Sequence, residues 1–326
     1  MLMLMLLGGC SMAQAPAAEP YHPPGMYIWD LWFAESDGVT HAFYLQAARA
    51  LPDPDLKHGH QHVGHSVSRD LLHWENRGPA LVNVYGTWND LSIATGSICR
   101  HAGKWWMLFT GRGSKQSGVG LAVSDDLDHW RKVGDGPVLP FGERYETTWE
   151  GEQVSWQALA DPYVHPEPID GWFMMVINSQ VDGAPEGRRG CLAALRSRDL
   201  QTWEPVGILA WPKWFERMET PQFWQHDGRW YLYFGAHGGL HSYALRAAVP
   251  DATRAGNYVL QSAALMGPYE PRGTWWLNLP DGKPGYIYKT VPEADGRVLL
   301  TTIDCSMSPP YPITYSDDGS LIINEP

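Results

Sequence analysis

Three acidic residues occupy nearly the same place in three repeated segments of the sequence. Asp30, Asp161 and Glu219 precede the glycine of a following turn by 8, 10 and 9 residues, respectively. Two carboxylates can cleave a glycosidic bond, because one donates a proton to the leaving oxygen while the other attacks the anomeric carbon or activates water. Like-charge repulsion in a shared pocket raises the pKa of at least one acid, which supplies the proton donor near neutral pH. The third acid can then bind sugar hydroxyls and stabilise positive charge in the transition state.

The turns belong to a repeat that predicts β-hairpins. A small or acidic residue followed by Gly introduces an apolar or aromatic run five times, with 65, 68, 57 and 68 residues between successive glycines. Asp-Gly suits a tight hairpin turn, because the Gly position requires a positive φ. The five turns are Asp37-Gly38, Ala102-Gly103, Asp170-Gly171, Asp227-Gly228 and Asp295-Gly296.

A second repeat interlocks with the first. The pattern S-x-D-L-x-x-W occurs at Ser68–Trp74, Ser124–Trp130 and Ser197–Trp203, each time after a strand of small residues. The Ser and Asp can bond to local backbone and tighten a turn. The Leu and Trp can fill the space between neighbouring sheets. The two repeats together predict an all-β fold, a five-bladed β-propeller of four-stranded antiparallel blades.

This fold explains how acids that are remote in sequence could meet. The first strand of each blade lines the central channel, so residues at the start of these strands converge on one mouth. Asp30, Asp161 and Glu219 would start the first strands of blades one, three and four. Blade two offers Asp90, 13 residues before its glycine, as a looser match. We expect residues 21–326 to form this single catalytic domain.

Aromatic residues are abundant, with 17 Trp and 15 Tyr. Flat apolar rings beside hydrogen-bonding groups suit the faces and edges of sugars, although core packing explains many tryptophans. His237 follows the strand of blade four and could face the channel. The predicted substrate-binding residues are Trp29, Trp32, Trp88, Asp90, Trp149, Trp156 and His237, and Trp214 is a further tryptophan placed near the mouth.

These residues resemble the furanosidase propellers of glycoside hydrolase families 32, 68, 43 and 62, with family 32 nearest. The matching segments are Tyr27-Ile-Trp-Asp30-Leu-Trp, Thr95-Gly96-Ser97, Ala160-Asp161-Pro162 and Glu219-Thr220-Pro221. The resemblance implies that Asp30 is the nucleophile, Asp161 the transition-state stabiliser and Glu219 the acid/base. The sequence departs from the family 32 pattern around the nucleophile, at Ala160 where that family has an Arg, and at Thr220 where it has a Cys.

The resemblance implies a hydrolase of furanosides, with β-fructofuranosides favoured and an oligosaccharide or polysaccharide as substrate. An inverting enzyme acting on α-L-arabinofuranosides, with Asp30 as general base, is an alternative. A non-catalytic carbohydrate-binding lipoprotein is an alternative of another class.

No cofactor or metal site is expected. The sequence has no dinucleotide or phosphate-loop motif, and its Cys and His residues lack zinc-site spacing. His58, His60, His62 and His65 are interpreted as ordinary loop and strand histidines. The net charge of −12 and the absence of a Lys/Arg cluster argue against nucleic acid as a partner.

The N-terminal segment predicts the location of the protein. Leu7-Gly8-Gly9-Cys10 resembles a bacterial lipoprotein signal with a lipid on Cys10. Residues 1–20 are interpreted as this signal and an Ala/Pro-rich tether. We expect a protein of the bacterial cell envelope, as a periplasmic or outer-membrane lipoprotein, or a secreted one. The lipid on Cys10 would be its contact with a membrane.

Overall fold

The computed structural model describes residues 19–280, 282, 285–291 and 298–326. The chain forms five antiparallel β-sheets in sequence order. The prediction of a five-bladed β-propeller is confirmed, with 52% of the residues in strands and 7% in helices. Cys10 and the expected signal lie outside the described residues.

The first two blades each begin with a long strand that is mostly buried. Blade one is a regular four-stranded meander, and blade two adds a short strand that pairs with its third strand. The strands of blade one are β1 (Met26–Ser36), β2 (Val39–Ala48), β3 (His62–Ser68) and β4 (Glu75–Leu81), and those of blade two are β5 (Ser92–His101), β6 (Lys104–Arg112), β7 (Gly118–Ser124), β8 (Arg131–Lys132) and β9 (Leu139–Pro140).

The other three blades vary the four-stranded plan. In blade three an additional strand precedes the channel-lining first strand and pairs with it, and blade four has three strands followed by isolated bridges at Gln261–Glu270 and Tyr258–Trp276. The strands of blade three are β10 (Arg144–Trp149), β11 (Glu152–Val164), β12 (Phe173–Val181), β13 (Gly190–Ser197) and β14 (Glu204–Ala210). Blade four contains β15 (Glu219–His226), β16 (Arg229–Gly235) and β17 (Asn257–Ser262), and blade five contains β18 (Tyr286–Thr290), β19 (Val298–Ile303), β20 (Ser306–Met307), β21 (Tyr311–Tyr315) and β22 (Leu321–Ile323).

Helices are short and lie in two connections. A 3₁₀ turn spans Pro54–Gly59 between β2 and β3. A second 3₁₀ turn (Gly238–Leu240), helix α1 (Tyr243–Ala248) and helix α2 (Pro250–Ala255) connect β16 to β17. Within the described part of the chain, no helix is long and apolar enough to cross a membrane.

Four of the five predicted hairpin turns are present as expected. Asp37, Ala102, Asp170 and Asp227 have φ values of 53°, 50°, 51° and 46°, and the glycine after each also has a positive φ. Two successive positive φ values are those of the hairpin turn whose twist matches the flanking strands. The fifth turn, Asp295-Gly296, lies outside the described residues.

The S-x-D-L-x-x-W segments form three equivalent turns. In the second copy, Ser124 Oγ accepts from the backbone N–H of Leu127 at 2.9 Å, and Asp126 Oδ1 accepts from that of His129 at 2.8 Å. Trp130 Nε1 donates to the Leu127 carbonyl at 2.8 Å. The copies at Ser68 and Ser197 repeat these bonds. The motif is therefore a backbone device that closes the third strand of a blade.

The hydrophobic core consists of five clusters, one at each junction between neighbouring blades. Each cluster contains side chains of two adjacent sheets, such as Phe43 and Phe109 for blades one and two. The junction of blades five and one contains Leu300 and Ile28. Tyr21 also forms an antiparallel bridge with Met307, so the N-terminal segment joins blade five. The ring is thus closed, and its first strands are fixed around a central axis.

Candidate active site

The first strand of every blade is interrupted by a bulge at the level of the predicted acids. The strand register shifts between Trp29 and Leu31, and equivalent shifts occur in β5, β11, β15 and β18. A bulge inserts an unpaired residue and re-aims its side chain, and such features concentrate at functional sites. The residues in or beside the bulges are Asp30, Thr95, Asp161, Thr220 and Ile287.

Positive φ values mark four of these five positions. Asp30, Asp161, Thr220 and Ile287 have φ values of 51°, 58°, 46° and 62°. Such values are uncommon for residues other than Gly, and for β-branched Thr and Ile they carry strain. The surrounding blades must therefore impose this conformation, and they do so around one end of the channel.

Asp30 lies in β1 and is bonded to blade two. Thr95 Oγ1 donates to Asp30 Oδ2 at 2.5 Å. Loss of hydration raises the pKa of Asp30 to about 7, and the charges of Asp161 and Glu219 add to this effect. The Thr95 hydrogen bond and the charge of Lys289 act in the opposite direction. Asp30 is thus poised to change protonation near neutral pH.

Asp161 lies in β11 between blades two and four. Its backbone N–H donates to Thr110 Oγ1 at 3.0 Å. Its Oδ2 accepts from the backbone N–H of Thr220 at 3.0 Å and from Asn178 Nδ2 at 3.4 Å. A carboxylate held by donors from neighbouring strands has a fixed orientation, which suits a group that must contact a ligand in one geometry.

Glu219 opens β15 and is held from blade five. Tyr286 Oη donates to Glu219 Oε2 at 2.6 Å, and Arg217 lies 3.7 Å from Oε1. Loss of hydration and the charge of Asp161 raise the pKa of Glu219, while the Tyr286 hydrogen bond and the charges of His237 and Arg217 lower it. The predicted acids therefore interact with one another across three blades.

Several residues of this site were given no role by the sequence, although Thr95 lies in a segment that resembles family 32. Thr95, Asn178 and Tyr286 bind the three carboxylates directly, and Lys289 interacts with two of them electrostatically. Tyr286 and Lys289 lie in the first strand of blade five, where the sequence offered no acid. The equivalence of first strands was the signal that could have identified them, had polar residues of any kind been sought there.

The segment Thr95-Gly96-Ser97 connects the acids of blades one and three. While Thr95 binds Asp30, Ser97 Oγ donates to the Pro162 carbonyl and accepts from the Val164 N–H, both at 2.9 Å. A Cβ on Gly96 would lie 2.4 Å from the Leu108 carbonyl oxygen, so the close pairing of β5 with β6 requires glycine here.

The predicted tryptophans divide between core and surface. Trp29 and Trp32 are buried, Trp29 against the edge of His58 and Trp32 stacked on Phe43. Trp156 is fully buried and stacks on Tyr145 at 4.5 Å, a packing that favours a core role. The partly exposed ones are Trp88, stacked on Phe109, Trp149 in β10, and Trp214, beside Trp275.

The other two predicted binding residues have different surroundings. Asp90 is bonded to the backbone N–H and hydroxyl of Ser114 at 2.8 and 2.9 Å, which lowers its pKa. His237 is exposed, 6.1 Å from the Tyr286 ring, and its charge acts on Glu219. His237 therefore lies near the acid site, whereas Asp90 caps a neighbouring loop.

The histidines of residues 58–65 contact protein groups. His65 accepts or donates a 2.9 Å hydrogen bond with His41 and stacks on Phe43 at 4.4 Å. His62 lies 3.0 Å from the Gln46 amide. Among the described residues, no group of three or more His, Cys, Asp or Glu side chains has the arrangement of a metal site.

Comparison with known proteins places the chain in a family. The model of the glycosyl hydrolases family 32 N-terminal domain matches residues 32–219, which is 188 of 326 residues. The chain belongs to glycosyl hydrolase family 32. The matched segment contains Asp161, ends at Glu219, and begins two residues after Asp30. The predicted family is confirmed.

The proteins that are similar in sequence or in structure have names that refer to fructose-containing sugars. The chain is 27% identical over 179 residues to the β-fructofuranosidase insoluble isoenzyme CWINV2 of Arabidopsis thaliana, which is 51% of this chain and 26% of that protein. It therefore spans about a quarter of the length of that relative. This partial match leaves the activity and substrate of the present chain to be proposed.

Solved structures share the fold over almost the whole chain. The inulosucrase of Halalkalicoccus jeotgali bound to kestose superposes with a TM-score of 0.71 at 19% identity, covering 94% of this chain and 90% of that one. The fructan 1-exohydrolase IIa of Cichorium intybus gives 0.68 at 19% identity, covering 94% and 60%. The levansucrase of Bacillus subtilis gives 0.64 at 14% identity, covering 99% and 91%. At these identities the likeness establishes the fold alone.

Proposed function

We propose that this chain is a hydrolase of furanosides, with β-fructofuranosides as the preferred class. The supporting observation is that Asp161 Oδ2 accepts the N–H of the residue after Glu219 while the charge of Asp161 acts on Asp30. Three carboxylates of different blades thus occupy one site. Family membership and the fructose-directed names of the similar proteins favour fructosides over other furanosides.

The proposed reaction assigns one role to each acid. The Asp30 carboxylate attacks the anomeric carbon while the bond between that carbon and the leaving oxygen breaks. Glu219 gives its proton to the leaving oxygen. Glu219 then removes a proton from water, which displaces the Asp30 carboxylate and releases the sugar. Asp161 orients the glycone hydroxyls and stabilises positive charge in both transition states.

The electrostatics of the site suit this division. The active form needs Asp30 ionised and Glu219 protonated at the same pH. The pKa values of both groups lie above their ordinary range, and the two share Asp161 as a charged neighbour. Interacting carboxyls lose their protons in successive steps that belong to the group as a whole. A bell-shaped pH profile around neutrality is expected.

An inverting reaction on α-L-arabinofuranosides is the second candidate. It is favoured by Ala160, which lies beside Asp161 and provides no cationic side chain for fructose hydroxyls. In that case Asp30 acts as a general base on water. A nucleophile requires carboxyl groups about 5 Å apart, whereas an intervening water requires more than about 6.5 Å.

One assay separates these possibilities. Sucrose, inulin, levan and arabinan are incubated with the wild-type chain and with Asp30→Asn and Glu219→Gln, and the first product anomer is followed by NMR. We expect release of fructose with retained configuration and at least ~10³-fold less turnover by Asp30→Asn. Arabinose with inverted configuration would replace the first candidate by the second. Tight binding of a sugar in calorimetry without any product would instead favour the non-catalytic binding protein.

We also propose that a lipid on Cys10 attaches the protein to the bacterial cell envelope. The basis is the Leu7-Gly8-Gly9-Cys10 motif. Labelled fatty acid should be incorporated by the wild-type chain and lost with Cys10→Ser. Equal incorporation, or none by either chain, would contradict the anchor.

A further inference from the structure

A buried lysine lies near two of the three acids. Lys289 belongs to β18 in blade five and is 4% exposed. Its Nζ donates to the carbonyl oxygens of Thr220 at 2.7 Å and Pro221 at 3.0 Å. It also lies 5.8 Å from the ring centroids of Tyr163 and Tyr233. Two N–H donors of this ammonium are thus bonded to backbone carbonyls of blade four.

Burial of a lysine requires compensation. An ammonium removed from water costs several kcal/mol unless it is hydrogen-bonded and paired with opposite charge. The two carbonyls satisfy two donors but carry no formal charge. The charge is balanced by Asp30 and Asp161, which interact electrostatically with Lys289. The lysine is therefore an internal counter-ion for two of the three acids.

The two carbonyls that it binds are also informative. Thr220 and Pro221 follow Glu219 directly and form the bulge of β15, where Thr220 has a φ of 46°. A bond from blade five to both carbonyls holds this unusual backbone in place. The same bulge presents the Thr220 N–H to Asp161. Lys289 thus contacts the segment that fixes the relative positions of Glu219 and Asp161.

We propose that Lys289 is a positioning residue for the reaction, acting through the acids by holding the 219–221 bulge from blade five and by placing a buried positive charge near Asp30 and Asp161. This inference rests on the proposed function, because it takes the three acids as the reacting groups. Lys289 itself need not touch the substrate.

The groups that face this lysine set the expected direction of its effect. They are Asp30 from β1, Asp161 and Tyr163 from β11, and Tyr233 from β16. Glu219 from β15 acts on Asp30 electrostatically and is bonded to Tyr286 of the lysine's own strand. Arg217 and His237 are cationic neighbours of Glu219. Without the ammonium, three carboxylates repel one another with less compensation. The pKa of Asp30 must then rise above about 7.

The experiment compares Lys289→Gln and Lys289→Met with a matched control, Lys132→Gln. Gln retains hydrogen-bond donors for the carbonyls but removes the charge, whereas Met removes both. Lys132 is a partly buried lysine whose pKa is likewise lowered by burial, to about 8, but it binds Asn89 in blade two. The first measurement is an NMR titration of ¹³C-labelled aspartate carboxyls, with the Asp30 signal assigned by its loss in Asp30→Asn.

We expect the pKa of Asp30 to rise by about one unit or more in Lys289→Gln and to stay unchanged in Lys132→Gln. For hydrolysis of sucrose, kcat/KM of Lys289→Gln should fall about 10-fold at pH 6 and recover towards pH 9. Lys289→Met should lose activity at all pH values, because the bulge is released as well. If Lys289→Met fails to fold, Lys289→Gln still decides the role of the charge.

An unchanged Asp30 titration in Lys289→Gln overturns the inference, as does an equal loss of activity at every pH in that variant. The titration requires no turnover. If Asp30→Asn leaves catalysis intact while Lys289→Gln shifts the titration, the proposed function fails and the counter-ion role stands. If Asp30→Asn abolishes catalysis while Lys289→Gln changes nothing, the proposed function stands and the role of Lys289 fails.

Discussion

The backbone N–H of Thr220 donates a hydrogen bond to Asp161 Oδ2 at 3.0 Å. This bond connects blade four to blade three at the residue directly after Glu219. It is possible because Thr220 adopts a φ of 46° in the bulge of β15. The carboxylate of the candidate stabiliser is therefore bonded directly to the backbone that carries the candidate proton donor. Such preorganisation is what charge stabilisation in a transition state requires.

The loss of kcat/KM in the Glu219→Gln variant should depend on the leaving group of the substrate. A glutamine cannot protonate the leaving oxygen, and general acid catalysis contributes about 10²–10⁴-fold. We expect a loss of this size in kcat/KM for sucrose, whose leaving group is a sugar alkoxide. An aryl furanoside with a nitrophenol leaving group needs little protonation, so its loss should stay below about 10-fold.

The control for this comparison is Glu35→Gln, an exposed glutamate on β1. It should retain wild-type rates on both substrates. Equal losses by Glu219→Gln on sucrose and on the aryl furanoside would show that Glu219 orients the substrate instead of protonating it.

The Asp30→Asn variant should become more stable than the wild-type chain as the pH rises, because only the wild-type chain loses stability when Asp30 ionises. The pKa of Asp30 is about 7 in the folded chain and 3.8 as a reference, so the folded state binds more protons between these values. Stability contributed by this group is therefore complete below pH 3.8 and is lost as the pH rises to 7. A difference of about three pKa units corresponds to at most about 4 kcal/mol in the free energy of unfolding.

Thermal unfolding at pH 4.5 and pH 8 measures this effect. Asp30→Asn should raise Tm at pH 8 and change it little at pH 4.5. Asp170→Asn is the matched control, because Asp170 has the same φ of 51° but is exposed in a turn. A lower Tm for Asp30→Asn at pH 8 would contradict the assigned direction of the Asp30 shift.

The sequence predicted the blades and the convergence of the acids because both depend on local patterns. Asp-Gly turns and S-x-D-L-x-x-W segments determine where strands begin and end. The bulges could not be predicted in this way. Asp30 and Asp161 occupy bulge positions, whereas Glu219 precedes one, and an offset counted from a turn cannot detect that difference.

The side chains of other blades that contact the acids could not be predicted from these local patterns either. Thr95, Tyr286 and Lys289 are ordinary strand residues until the ring closes and places them beside the carboxylates. Composition also could not separate a buried Trp156 from a partly exposed Trp88. Side-chain environment depends on contacts between blades, which are remote in sequence.

The three S-x-D-L-x-x-W turns should contribute similar and independent increments of stability. Ser68, Ser124 and Ser197 are 4%, 3% and 1% exposed, and each hydroxyl accepts two backbone N–H bonds. Substitution by Ala removes the acceptor of two backbone N–H groups that are buried or partly buried, at a cost of about 1–2 kcal/mol for each turn. Because the turns lie in different blades, the triple variant should lose about the sum of the three.

Urea unfolding followed by tryptophan fluorescence measures these losses, with Ser36→Ala in an exposed turn context as the control. A single Ser→Ala change without effect would contradict the structural role assigned to that turn. If the triple variant lost much more or much less free energy of unfolding than the three single variants together, the three turns would not be independent of one another.

Removal of the Tyr286 hydroxyl should move the alkaline limb of the pH profile. Tyr286 Oη donates to Glu219 Oε2 at 2.6 Å, which stabilises the ionised carboxylate and lowers its pKa. In Tyr286→Phe this donor is gone, so the pKa of Glu219 must rise. Since Glu219 acts as an acid when protonated, kcat/KM should persist to higher pH by about half a unit or more, with a few-fold lower maximum. Tyr243→Phe is the control, because Tyr243 is 82% exposed, and this variant should leave the pH profile unchanged. An alkaline limb that stays in place or moves to lower pH in Tyr286→Phe would show that another group controls it.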